Sequence, residues 1–265
     1  RSSLHGRSSD KDHAEGLLHF PKDDQRVLAA DIKRTRQAYE IFKRQDVLDL
    51  VSEVLERYCV GHGIRYKQGQ NELLAPFLAL QDPPLPASVI GLMFDAFMSR
   101  FVSRWYCDED FEPLSVAFSV FRVLLFYVDP VLANKLDECN FIPELYATSW
   151  LITLFSRNLK LDQVNRLWDV YIAQGDPALV FTLLAALLLR NRERLLAVDQ
   201  PHMMPEAVQA LEVKDAQELE ELVCQGRELL KKLPGAFLET VRSCCSDDGN
   251  TPLDTSRSLF CENVR

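Results

Sequence analysis

The sequence predicts an all-α fold. Apolar residues recur at three- and four-residue intervals in almost every segment from residue 25 onward, the spacing of a buried helix face. Glycine is scarce, at 10 of 265 residues, which disfavours an α/β nucleotide-binding fold built around glycine loops. Alternating β patterns are absent apart from brief ambiguous runs, and proline with short polar turns punctuates the helical segments. Hydrophobic residues make up 47% and charged residues 26%, a globular balance that can bury a sizeable core. The length suits one large domain or two closely packed helical lobes.

Taken in order, residues 1–24 are rich in Ser, Arg and Asp and predict a poorly ordered segment. Leu28, Ile32, Thr35, Tyr39 and Phe42 form a single apolar stripe and predict the first helix. Val47, Val51, Val54, Leu55 and Tyr58 make the second. The segment 61–71, GHGIRYKQGQN, has three glycines and no periodicity, so it reads as a loop. Helical character resumes from Glu72 to Leu80 and stops at the proline-rich 81–86. Further helices are expected over 87–106 and 114–127, with Pro130 opening a shorter one. Pro143 opens another that carries Leu145, Trp150, Leu151, Leu154 and Phe155. The next holds Leu161, Val164, Leu167, Trp168 and Tyr171. Pro177 precedes LVFTLLAALLL, too short to span a bilayer and therefore a buried helix. Pro201 and Pro205 mark a boundary, after which Leu219, Leu222, Gly226, Leu229, Leu230 and Leu233 describe one more amphipathic helix. Residues 201–245 are expected as C-terminal helices packed on the domain, and 246–265 as an irregular tail.

Composition also excludes. A net charge of −9 gives nucleic-acid binding no electrostatic support. The cysteines number seven, with no CxxC pair, which predicts a reducing, cytoplasmic setting. Cys244 and Cys245 are expected in a polar tail, where exposed thiols could oxidise. No apolar run reaches the ~18 residues of a membrane span, and the opening segment lacks a signal-peptide core. It also lacks an initiator methionine, which predicts a fragment of a longer chain. There is no phosphate-binding glycine loop, no HExxH and no zinc-spaced Cys/His cluster. No cofactor or metal of its own is expected.

Two constellations remain. Leu28-x-x-Asp31-x-x-Arg34-Thr35 places Asp31 and Arg34 about 60° apart on one helix face, so the carboxylate can orient the guanidinium. Arg26, Lys33, Arg34, Arg36, Lys43 and Arg44 make this region locally basic, which would suit a phosphate-bearing partner. The alternative is an ordinary i, i+3 salt bridge on a solvated face. Tyr66-x-Gln68-Gly69-x-Asn71 precedes a helix; Gly69 permits a close turn and Asn71 is a fair N-cap. Held on such a turn, the Gln68 amide could position a water. The alternative is a plain helix-entry loop. Trp150 and Trp168 read as core, and Asp169 as a cap or core salt bridge.

In this order and spacing, the two motifs resemble the signature of TBC domains, the GTPase-activating modules for Rab-family small GTPases. Downstream, Leu145-Tyr146-Ala147, Trp150-Leu151, Phe155-Ser156-Arg157 and Leu167-Trp168-Asp169 are similar to later family blocks, so the resemblance spans residues 25–200. It implies an all-α, two-lobed domain that lends two groups to a partner's hydrolysis and is not an autonomous enzyme. Arg34 would be the arginine finger and Gln68 the glutamine finger. Asp31, Thr35, Tyr66, Gly69 and Asn71 would support them, and GTP and Mg²⁺ would belong to the partner. Recruitment to membranes would rest with that partner or with regions outside this sequence. The sequence departs from the family pattern at several points, among them the missing serine- or proline-rich lead-in to the glutamine block. No tryptophan precedes Trp105, Gln37 stands where a proline is usual, and Lys67 and Gln70 replace more apolar residues. The alternative reading is a catalytically silent adaptor that binds a GTPase or another protein.

Overall fold

The computed structural model describes residues 19–80, 85–107 and 111–246, and all regular structure among them is helical. Helices α1 (Lys22–Arg34), α2 (Gln45–His62), α3 (Gln70–Ala79) and α4 (Ala87–Phe101) pack on one another as a first group. Each turns its periodic apolar face inward: Val47, Val51, Val54, Leu55 and Tyr58 of α2 are all buried. A short helix, α5 (Ser103–Cys107), leads to α6 (Glu112–Val128) and α7 (Pro130–Glu138). Asp129 caps α7 by accepting from the Leu132 N–H at 3.0 Å, with Pro130 filling the first helical position. Two single turns, α8 (Pro143–Tyr146) and α9 (Thr148–Ile152), precede α10 (Leu161–Gln174). Then come α11 (Leu179–Arg190), α12 (Arg192–Leu196), α13 (Met204–Gln209), α14 (Ala216–Lys232) and α15 (Gly235–Cys245).

Helix α11 is the centre of the second group. Every residue from Leu179 to Leu188 is buried, which accounts for a run with no polar face. It packs on α14, and Gly226 permits the close approach: a Cβ there would lie 2.8 Å from Leu183 Cδ2. Helix α15 packs on α5 and α6. The two groups meet where α3 lies against α10 and against a single 3-10 turn at Ser156–Asn158.

Several expected elements end early. The stripe from Leu28 to Phe42 is buried much as expected, but it is not one helix: α1 stops at Arg34. Thr35 turns to the extended region (ψ 118°) and Arg36 to the left-handed one (φ 49°). The helix expected after Pro143 is likewise broken, because Leu154 (φ 46°) and Phe155 (φ 65°) are both left-handed. Tertiary contacts hold that pair: Trp168 Nε1 donates to the Leu154 carbonyl at 3.0 Å, and the Phe155 ring meets Trp150 at 4.9 Å. The 87–106 helix splits at Val102 (φ −145°) into α4 and α5.

The termini differ too. Helix α1 opens at Lys22, inside the segment read as a tail, and Asp24 is buried against Arg65. Residues 1–18 and 247–265, where an unordered segment and an irregular tail were expected, lie outside the described residues. Cys244 and Cys245 are not exposed tail thiols; they sit on α15 with their side chains buried. Among the described residues no helix is long and apolar enough to cross a membrane.

Candidate functional site

The site is assembled from the end of α1 and the loop between α2 and α3. Asp31, on the inner edge of α1, is fully buried. Its Oδ1 accepts from Arg34 Nη2, and its Oδ2 accepts from the Tyr66 hydroxyl at 2.9 Å. Burial, reinforced by the neighbouring Asp31, pushes the Tyr66 phenol far above its usual range, so it keeps its proton and donates. The Arg34 side chain is 61% exposed while its carboxylate partner is 0% exposed. A guanidinium anchored from behind by a buried carboxylate presents its remaining N–H groups outward. This is more than a solvated i, i+3 pair.

Thr35 and Asn71 join the two segments. The Thr35 hydroxyl donates to the Asp31 carbonyl at 2.8 Å, and Asn71 Nδ2 donates to Thr35 Oγ1 at 2.8 Å. Asn71 Oδ1 in turn accepts from the Gly69 N–H at 3.1 Å. Asn71 is therefore not the N-cap the sequence suggested. It is the second residue of α3, and its buried amide bridges the loop to α1, while Gly69 holds the cap position.

Gly69 has φ +114°, and a Cβ on it would lie 2.7 Å from the Tyr106 hydroxyl. Only glycine meets both the backbone and the steric requirement there. The start of the loop is fixed by Asp24, which takes both nitrogens of a bidentate Arg65 and the Tyr66 N–H at 3.0 Å. Burial alone would raise the Asp24 pKa, but the Arg65 guanidinium and the Tyr66 amide outweigh it and hold the carboxyl below its ordinary range.

The polar departures at 67 and 70 have partners. Lys67 Nζ lies 3.8 Å from the centre of the Phe111 ring. Gln70 is fully buried; its Oε1 accepts from the Lys67 N–H at 3.3 Å and from the Cys59 thiol at 3.5 Å. Burial pushes that thiol up to about 12, so it stays protonated.

Between these anchors Gln68 is exposed. It lines, together with Arg34, a cleft of about 670 Å³ whose further lining includes Arg36, Glu72, Arg157 and Lys160. Arg34 and Gln68 thus share one cleft, and Asp31, Thr35, Tyr66, Gly69 and Asn71 are joined by hydrogen bonds behind it. His62 does not belong to it; its Nε2 lies 2.5 Å from Asp95 Oδ1. Trp150 and Trp168 are buried, as their helical spacing suggests, whereas Asp169 is exposed and is no core salt bridge.

The sequence matches the Rab-GTPase-TBC domain family over residues 3–196. The chain belongs to that family. Human TBC domain-containing protein kinase-like protein is 29% identical over 193 residues, covering 69% of this chain and 21% of that protein. The Dictyostelium discoideum protein of the same name is 31% identical over 133 residues, 50% of this chain and 12% of its own length. The human ecotropic viral integration site 5 protein homolog is 25% identical over 197 residues, 73% of this chain and 24% of that one. The chain thus spans about a fifth of the length of the human relatives it matches. In fold it is similar to the YPT/RAB-GAP domain of GYP1P (TM-score 0.67, 17% identity, 79% of this chain and 73% of that one). It is also similar to the Chlamydomonas flagellar RabGAP TBC domain (TM-score 0.59, 17% identity, 83% and 67%).

This TBC domain also has site residues that the sequence did not reveal. The basic stretch predicts Arg36 as one of the cations suited to a phosphate-bearing partner. Instead its side chain is 8% exposed, and its Nε donates to Glu72 Oε2 at 3.0 Å. Its Nη1 donates to the Leu159 carbonyl at 2.7 Å, and its Nη2 reaches both the carbonyl and the hydroxyl of Ser156. Arg36 is a clamp that fastens the end of α1 to the 156–159 wall. Pro76 explains Ser156. Lying inside α3, it has no N–H for the Glu72 carbonyl four residues back. The Ser156 hydroxyl donates to that carbonyl at 2.6 Å, and Ser156 Oγ itself accepts from Arg36 Nη2 at 2.9 Å. A proline inside a helix beside the glutamine motif was the one signal that such a donor was needed.

Proposed function

We propose that this TBC domain accelerates GTP hydrolysis on a Rab-family small GTPase, with Arg34 and Gln68 as the two groups it lends. The observation that carries the reading is that both side chains are exposed on one cleft while the residues linking them are buried and hydrogen-bonded. In phosphoryl transfer, charge spreads over the γ-phosphate oxygens as the bond to the leaving group breaks. Arg34, aimed by Asp31, stabilises that charge once the partner closes the cleft and excludes water. Gln68 can accept from the attacking water and donate to a phosphate oxygen at once. The rigid Gly69 turn fixes its direction. GTP and Mg²⁺ stay on the partner throughout.

The test is single-turnover GTP hydrolysis across a panel of Rab proteins, with and without this domain. Acceleration of at least one member is the expected result. Binding without acceleration would overturn this reading in favour of a silent adaptor. Neither binding nor acceleration across a broad panel would overturn both.

A further inference from the structure

Resting on the reading above, we infer that Arg157 and Lys160 form a second cationic contact, one that engages carboxylate side chains on the GTPase surface and so selects among GTPases. Both are exposed and line the same cleft as Arg34 and Gln68, but they come from a different part of the chain. The other charged groups in the lining are already committed. Arg34 pairs with Asp31, and Arg36 with Glu72. Neither Arg157 nor Lys160 makes an ion pair within the described residues. Two uncommitted cations at one cleft stand against the background of a chain whose net charge is −9. Such a local reversal of sign steers and registers an anionic partner there.

The wall that carries them is built to hold still. The left-handed pair Leu154 and Phe155 turns the chain toward the cleft, and the Arg157 N–H donates to Thr153 Oγ1 at 3.2 Å. Arg36 grips the Ser156 and Leu159 carbonyls on either side of Arg157. The same Arg36 lies two residues beyond Arg34, so the clamp sets the spacing between the two cationic contacts. Preorganisation of this kind lets binding energy appear as affinity rather than be lost in ordering.

Carboxylates rather than phosphates are the occupant the arrangement favours. Arg34 and Gln68, the pair proposed to meet the γ-phosphate, come from the end of α1 and the α2–α3 loop, whereas Arg157 and Lys160 come from the separate 157–160 wall, so the anions proposed for them are carboxylates of the GTPase surface. Long, solvated side chains at such a rim act on encounter and partner choice.

The experiment takes a GTPase that the wild-type domain stimulates or binds. It measures kcat and KM separately, or Kd where binding occurs without acceleration, for R157Q/K160Q and R157E/K160E at several salt concentrations. The expected result is a KM or Kd raised roughly tenfold in the neutral pair and further in the reversed pair, with kcat within twofold and a weaker salt dependence. A lysine placed at an acidic position of the GTPase surface should restore binding by the reversed variant. An unchanged KM or Kd overturns the inference, and so does a loss confined to kcat, which would place the pair at the phosphates. A wild-type domain that neither binds nor stimulates any GTPase would overturn the proposed function instead, a result visible before any variant is made.

Discussion

Replacing Arg36 with methionine removes a buried cation while keeping most of the side-chain volume. The wild-type guanidinium is 8% exposed and reaches Glu72, the Ser156 carbonyl and hydroxyl, and the Leu159 carbonyl. Its loss leaves the Glu72 carboxylate, itself only 15% exposed, without its cation. Removing one partner of a buried ion pair costs roughly 3–5 kcal/mol, because the remaining charge stays desolvated. Glu72 can regain some water, so the lower end, about 3 kcal/mol, is expected for R36M. The double variant R36M/E72M removes both charges, and its cost should fall short of the sum of the single variants by at least about 1 kcal/mol. Urea unfolding followed by circular dichroism gives these numbers, and hydrogen exchange locates them. Amide protection should fall first around residues 35–37 and 156–160. A single-variant cost below about 1 kcal/mol, or additive single variants, would refute the clamp.

The loop, acid and the thiols each give a further test. G69A forces a side chain onto φ +114° and against the Tyr106 hydroxyl, so it should destabilise the domain by about 2–4 kcal/mol; a change under 1 kcal/mol would show that the loop relaxes freely. The Asp24, Asp129 and Asp176 carboxyls each sit below their ordinary range. Burial would raise all three, but their arginine partners and backbone N–H groups outweigh it. Depressed pKa values add stability above the unfolded value of about 3.9, and it is lost as pH falls through the lower folded values. Urea midpoints should therefore drop steeply below about pH 4, less so in D24N measured against its own neutral-pH value; equal slopes would contradict this. In the native domain a thiol reagent should modify exposed Cys224 quickly. Buried Cys59 and Cys245, whose thiols burial pushes upward, should react only after unfolding. Equal rates for these thiols would place Cys245 back in an exposed tail.

What the sequence discloses is burial more than helix continuity. The stripe from Leu28 to Phe42 correctly marks what faces inward, yet nothing in it shows that Thr35 and Arg36 leave the helix. Leu154 and Phe155 hide their left-handed turn for a related reason: no glycine announces it, and distant contacts from Trp168 and Trp150 hold it. Asp31, Arg34, Gln68 and Gly69 are legible because short spacing brings them together along two local segments. Arg36 is not, because its partners lie at Glu72, Ser156 and Leu159, and a lone arginine in a basic stretch looks like surface. Asn71 shows the same limit on a smaller scale. Its type suits a cap, and only the meeting of α3 with α1 turns it into a bridge.

Two exposed groups on one cleft, Arg34 and Gln68, carry the proposed activity. The most direct measurement is single-turnover GTP hydrolysis on a stimulated GTPase with wild type, R34A and Q68A, all at saturating domain. R34A should lose on the order of 10³-fold or more of the stimulated rate, the scale of an arginine finger in trans. A large loss is expected for Q68A as well, which should keep the wild-type melting temperature, whereas R34A is compared well below its own melting temperature because it leaves the buried Asp31 without its cation. Stimulation that survives either substitution would contradict these roles.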